Sequence, residues 1–171
     1  MNEHEGAQHM HTVVERELEL QLVLSPGRSI PVPARLCYGT DDPYAVHIAF
    51  HTGSENPVHW TFARELMIEG LFRPCGQGDV RVWPTKADDR NVVCMALTSP
   101  EGDALLQAPA AAVSAWLERT LRAVAQGQER EMLEMDDALA TLLTPAPADD
   151  VSLRDPCLSD ESPSGSEDTG P

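Results

Sequence analysis

The first regular pattern in the chain is ERELELQLVL, in which Leu18, Leu20, Leu22 and Leu24 alternate with Glu17, Glu19 and Gln21. A two-residue period of this kind predicts a half-buried strand. Pro26-Gly27 marks a turn. A second strand over residues 32–38 alternates Val32, Ala34, Leu36 and Tyr38 with Arg35 and Cys37. Pro31 and Pro33 suit its beginning or an edge, because neither can donate to a ladder. GTDDP leads into a third strand with Tyr44, Val46, Ile48 and Phe50 on one face and His47 and His51 on the other. TGSENP closes a hairpin into residues 58–62, where Val58, Trp60 and Phe62 share a face and His59 lies opposite. A short helix, ARELMIEGL, opens at Thr61 or Phe62 and stops at Gly70. The Gly-rich loop FRPCGQGD follows. Val80 and Val82 then alternate with Arg81 and Trp83, and KADDRN turns the chain into a sixth strand, VVCMALT.

From Ser99 the pattern changes. SPEG reads as a helix start, with Ser99 as N-cap, Pro100 at the first helical position and Glu101 favoured by the dipole. This brief helix ends at Pro109, which opens another. Val113, Trp116, Leu117, Leu121 and Val124 recur at helical spacing until Gly127. A last helix over residues 129–143 carries a narrow stripe of Met132, Met135, Leu139 and Leu142. Such a stripe covers the sheet or packs against a second subunit; covering the sheet is the expectation. The resulting division is a polar, disordered arm over residues 1–12, a folded domain over 13–143, and a disordered tail over 144–171 rich in Pro, Ser and acid. The class is α+β, with antiparallel sheets and C-terminal helices.

Charge narrows the function. The net charge of −16 opposes a phosphate backbone, whose binding rests on Lys and Arg displacing counterions. It favours basic partners. The tail contributes seven acids against Arg154 alone. Cys37, Cys75, Cys94 and Cys157 show no metal or disulfide spacing, and three of them lie in or beside strands as small hydrophobes. No signal sequence or membrane span is visible, so the expected place is the cytoplasm with reduced thiols.

Candidate chemistry is sparse. His47, His51 and His59 are able to share one face, and three imidazoles can hold zinc. No H-E-x-x-H or similar spacing accompanies them, and solvent-facing histidines are the commoner case. His4, His9 and His11 in the arm are a weaker version of the same idea. A nucleophilic Cys75 would need an electropositive setting, whereas its neighbourhood is acidic. The CGQGD glycines lack the strand-to-helix context of a nucleotide loop. Trp60, Trp83 and Phe72 resemble a base-stacking platform without its positive groove. Trp60 reads as core. Trp83, out of phase with Val80 and Val82, reads as exposed and points to a protein interface. The residues point to no enzyme, cofactor or resident metal.

The motifs DPYAVHIAFHTG, VHWTFARELMIEGL, GDVRVWP and SPEGDALLQAP, in this order, resemble the SsgA-like sporulation and cell-division proteins of actinomycetes, in particular the SsgB-type branch. The resemblance covers roughly residues 17–143. It implies a whirly-like fold, akin to single-stranded-DNA-binding proteins, assembled as a homotrimer. It also implies a non-enzymatic role at division septa, positioning or activating FtsZ or steering septal peptidoglycan assembly, with FtsZ or other SsgA-like proteins as partners. A single-stranded nucleic-acid-binding module using the same sheets is the alternative. The motif residues able to face partners are Asp42, Tyr44, His47, His51, Trp60, Arg64, Glu65, Arg81 and Trp83, of which His47, His51 and Trp83 are expected at an interface. The arm and the acidic tail exceed the compact family body.

Overall fold

The computed structural model describes residues 11–143; the expected arm and tail lie almost wholly outside them. Seven antiparallel strands form one continuous sheet: β1 (Val13–Ser25), β2 (Arg28–Gly39), β3 (Ala45–Phe50), β4 (Val58–Ala63), β5 (Val80–Ala87), β6 (Arg90–Ser99) and β7 (Gly102–Pro109). Their order is β4-β3-β2-β1-β7-β6-β5. Two meanders, β1 to β4 and β5 to β7, thus meet where β7 returns beside β1, through the pairs Gln21↔Gln107 and Leu22↔Leu106. Helix α1 (Arg64–Gly70) links the two edge strands, and α2 (Ala110–Ala123) and α3 (Glu129–Leu143) follow the sheet.

The two-residue period decides which face is core. Val32, Ala34, Leu36 and Tyr38 of β2, Val46, Ile48 and Phe50 of β3, Phe62 of β4, and Val93, Met95 and Leu97 of β6 are all buried on one face. The sheet curls around this inner face, where Met67 of α1 and Val113, Trp116 and Leu117 of α2 complete the cluster. Trp116 Nε1 donates to Val14 O at 3.0 Å, fixing α2 across the start of β1.

Turn chemistry follows local residue type. Pro26-Gly27, with Gly27 at φ 75°, has the residues of a type II turn. Asp88 and Asp89, at φ 48° and 61°, form the two-residue connection of β5 to β6, the type I′ geometry that matches strand twist.

Four expectations are corrected. Residues 102–109 are strand β7, not a helix. Ser99 Oγ accepts the Glu101 N–H and donates to Gly102 O, so the capping residues instead close a hairpin at Pro100-Glu101. β2 begins at Arg28, four residues early, because β1 supplies a partner for the whole hairpin. Tyr44 lies not in β3, which begins at Ala45, but half-exposed in the turn before it. Finally, α3 does not cover the sheet: Met132 packs against the core, while Met135, Leu142 and Leu143 are exposed.

Candidate functional site

Cross-strand register assigns the outward side chains. On the outer face of the first meander one row reads Glu15, Cys37, His47, Thr61, and the next Glu17, Arg35, Ala49, His59. Glu19 and Pro33 begin a third row, which His51 completes by donating its backbone N–H to Pro33 O at 2.9 Å. This half of the face is polar. Arg35 Nη2 donates to Glu17 Oε1 at 3.0 Å. His47 Nδ1 lies 2.9 Å from Thr61 Oγ1, and its Nε2 lies 3.8 Å from Asp42 Oδ2.

The histidines do share a face, but among the described residues no three His, Cys, Asp or Glu side chains approach closely enough to hold a metal ion. His11 pairs instead with Asp41, at 3.3 Å. Cys75 is no better placed for nucleophilic work. Burial, then the Glu69 carboxylate, pushes its thiol up from the ordinary value, and Sγ donates to Leu66 O at 3.2 Å.

The second meander presents a different outer face. Trp83 sits opposite Cys94, Arg81 opposite Ala96 and Thr85 opposite Val92. Leu105 and Gln107 continue the rows on β7. Trp83, Val92, Ala96 and Leu105 are half-buried, yet none belongs to the core cluster or packs against it. Cys94 is buried next to its cross-strand neighbour Trp83. An apolar patch with Arg81 exposed at its margin therefore lies on the side of the sheet away from the helices' buried faces. Aromatic and Arg side chains in such a setting are the types that dominate protein interfaces. Where β1 parts from β7 a groove of about 540 Å³ opens beside it, lined by Glu19, Gln21, Asn91 and Gln107 among others.

The remaining motif residues scatter. Asp42, His51 and Glu65 are exposed, His47 is half-buried, and Trp60 is half-buried against the core. Trp83 is half-buried rather than fully exposed. Arg64 departs furthest from expectation. It is 1% exposed and cannot touch a partner. Its Nη1 donates to Thr120 O at 3.1 Å and Val124 O at 2.8 Å, capping the last carbonyls of α2. Its Nη2 donates to Glu129 Oε1 at 2.6 Å, and the guanidinium stands 4.7 Å from the Tyr38 ring centroid. Burial pushes the Tyr38 phenol up to about 12. Nothing in the local sequence signals this role, because Glu129 lies 65 residues away.

Residues 32–129 match the family described as Streptomyces sporulation and cell division protein, SsgA. The sporulation-specific cell division protein SsgB of Streptomyces coelicolor is 54% identical over 134 residues, 78% of this chain and 98% of that protein. The protein of that name from Thermobifida fusca is 42% identical over 133 residues, 78% of this chain and 96% of the relative. A crystal structure of an SsgA-like sporulation-specific cell division protein from Thermobifida fusca superposes with a TM-score of 0.71 at 42% identity, covering 78% of this chain and 97% of that one. A solved structure described with SsgB mutations that correlate to longitudinal cell division during sporulation of Streptomyces coelicolor also gives 0.71, at 57% identity over 73% of this chain and 98% of the other.

Proposed function

The chain belongs to the SsgA family of sporulation and cell division proteins, and from that premise we propose that it is a non-enzymatic regulator of sporulation-specific division. In this reading it positions or activates FtsZ, or septal peptidoglycan assembly, through protein contacts at the septum, and it works as a homo-oligomer. The observation that carries the reading is the uncovered Trp83 patch with Arg81 at its margin, on a body whose acidity suits a basic protein partner better than a nucleic acid. Among the described residues no helix is long and apolar enough to cross a membrane.

Co-sedimentation with FtsZ under GTP tests the proposal, using the full chain and a form cut at Thr144. Pelleting of the full chain with polymer, or more polymer in its presence, supports it. If only the full chain pellets, the contact lies in residues after Thr144. If neither form pellets, direct FtsZ contact is refuted, and a pulldown with another SsgA-family protein decides between the remaining partners.

A further inference from the structure

The sheet treats its strand edges unequally. Along β1, beyond its short pairing with β7, the odd-numbered residues direct their backbone groups to the free side: Arg119 of α2 holds Glu15 O, and Glu15, Glu17 and Glu19 bring carboxylates to that stretch. β2 overhangs β3, and because Pro33 O accepts the His51 N–H, its odd-numbered residues direct their backbone groups to that side. Pro31 therefore removes a donor from the overhang. On the outer edge of β5, Cys75 exchanges both backbone hydrogen bonds with Val82, each 2.9 Å. Pro84 and Lys86 follow on the same side. Pairing, proline and lysine are the recurrent means of blunting an edge.

β4 has none of them. The Arg64 N–H donates to Tyr44 O at 2.7 Å, so the even-numbered residues of β4 face β3. The N–H and C=O groups of His59 and Thr61 point the other way. Among the described residues they meet no backbone or side-chain partner. The strand VHWTFA carries no proline, lysine or carboxylate. Its inner side offers Val58, 47% exposed, and half-buried Trp60. Exposed Glu55 and Glu65, neither in an ion pair among the described residues, stand just beyond its two ends.

We propose that β4 is a strand-addition site, taking as an eighth strand an extended segment of a partner protein with apolar residues at alternate positions and Lys or Arg at both ends. Main-chain hydrogen bonds to His59 and Thr61 would supply register. Contacts with Val58 and Trp60 would select the apolar positions, and Glu55 and Glu65 the basic ends. The inference rests on reading the chain as a partner-binding protein and gives that reading a second surface, separate from the Trp83 patch.

Amide exchange on the full chain, resolved by residue with NMR, tests it first. The His59 and Thr61 amides should exchange at least about a hundredfold faster than those of Trp60 and Phe62. A synthetic peptide of alternating Val and Thr with two lysines at each end should slow both. Thr61→Pro should weaken peptide binding at least about tenfold and keep the fold, since its N–H lies outside the β3 ladder; His59→Lys, which removes no backbone donor, checks the same edge. Peptide binding unchanged in both variants overturns the proposal. So does protection of the two amides in the free chain. If that protection vanishes on cutting at Thr144, the chain's own tail fills the edge; if it grows with protein concentration, a second copy does. Co-sedimentation with FtsZ separates this site from the wider reading: pelleting that survives Thr61→Pro removes β4 from that contact and leaves the reading intact.

Discussion

At the scale of single residues, Arg64 concentrates the energetics. A guanidinium removed from water loses several kcal/mol of solvation, which only close partners offset. Here two helix-terminal carbonyls, one carboxylate and the Tyr38 ring do so, although Nε has no partner. Glu129→Ala should cost about 3 kcal/mol in chemical denaturation, because it strands a buried cation. An exposed acid in a first helical turn contributes only about 0.3–1 kcal/mol. Protonation should echo the substitution. Burial alone would raise the Glu129 carboxyl, but hydrogen bonds from its own N–H, from Arg64 and from the Gly127 N–H hold it below the ordinary 4.5. A carboxyl depressed in the folded state stabilises that state above its unfolded pKa, and the contribution is lost as pH falls through the folded value. Stability measured below pH 4.5 should therefore fall less steeply in Glu129→Gln than in the parent; parallel acid limbs would show that the carboxylate adds nothing. This station was illegible in the sequence. An Arg at a strand-to-helix junction looks like surface charge until two elements far along the chain close over it.

At the scale of elements, alternation alone revealed six of the seven strands, because each buries one side. The seventh was hidden by its first residues. Ser99-Pro100-Glu101 satisfies the local rules for a helix start, yet the same hydroxyl closes a hairpin, and the weak alternation of Ala104, Leu106 and Ala108 decides the outcome through pairing with β6 and β1. Gly70 likewise ends α1 as expected, but for a reason local rules do not contain. A Cβ at this position would overlap Val82 Cγ1 and come within 2.6 Å of its Cβ, so the missing side chain lets α1 lie directly on β5. Gly70→Ala should destabilise the fold by about 1–3 kcal/mol, as overpacking does, despite the better helix propensity of Ala. Val82→Ala should cost less in that background than in the parent, a coupling that a double-mutant cycle in denaturant measures. Additive costs would show that Gly70 answers to something other than Val82.

At the scale of the molecule, the sheet has an inner face covered by α1 and α2 and an outer face divided by chemistry. The first meander turns glutamates and histidines outward; the second turns out Trp83, Ala96 and Leu105. Charge and shape then play separate parts. In general an acidic surface attracts basic molecules at long range, an effect that salt screens, whereas desolvated aromatic contact sets how long a complex lasts. Trp83→Thr, which keeps a β-forming residue on β5, should leave a cooperative unfolding transition with a stability loss of about 1–2 kcal/mol. Under the proposed function, partner binding should weaken by at least about 2 kcal/mol, roughly thirtyfold, mostly through faster dissociation. Glu17→Gln on the polar half should change the salt dependence of association and little else. Surface plasmon resonance across a salt series distinguishes the two effects. Equal loss from both substitutions would spread the contact over the whole outer face, and loss from Glu17→Gln alone would move it to the polar half and away from Trp83.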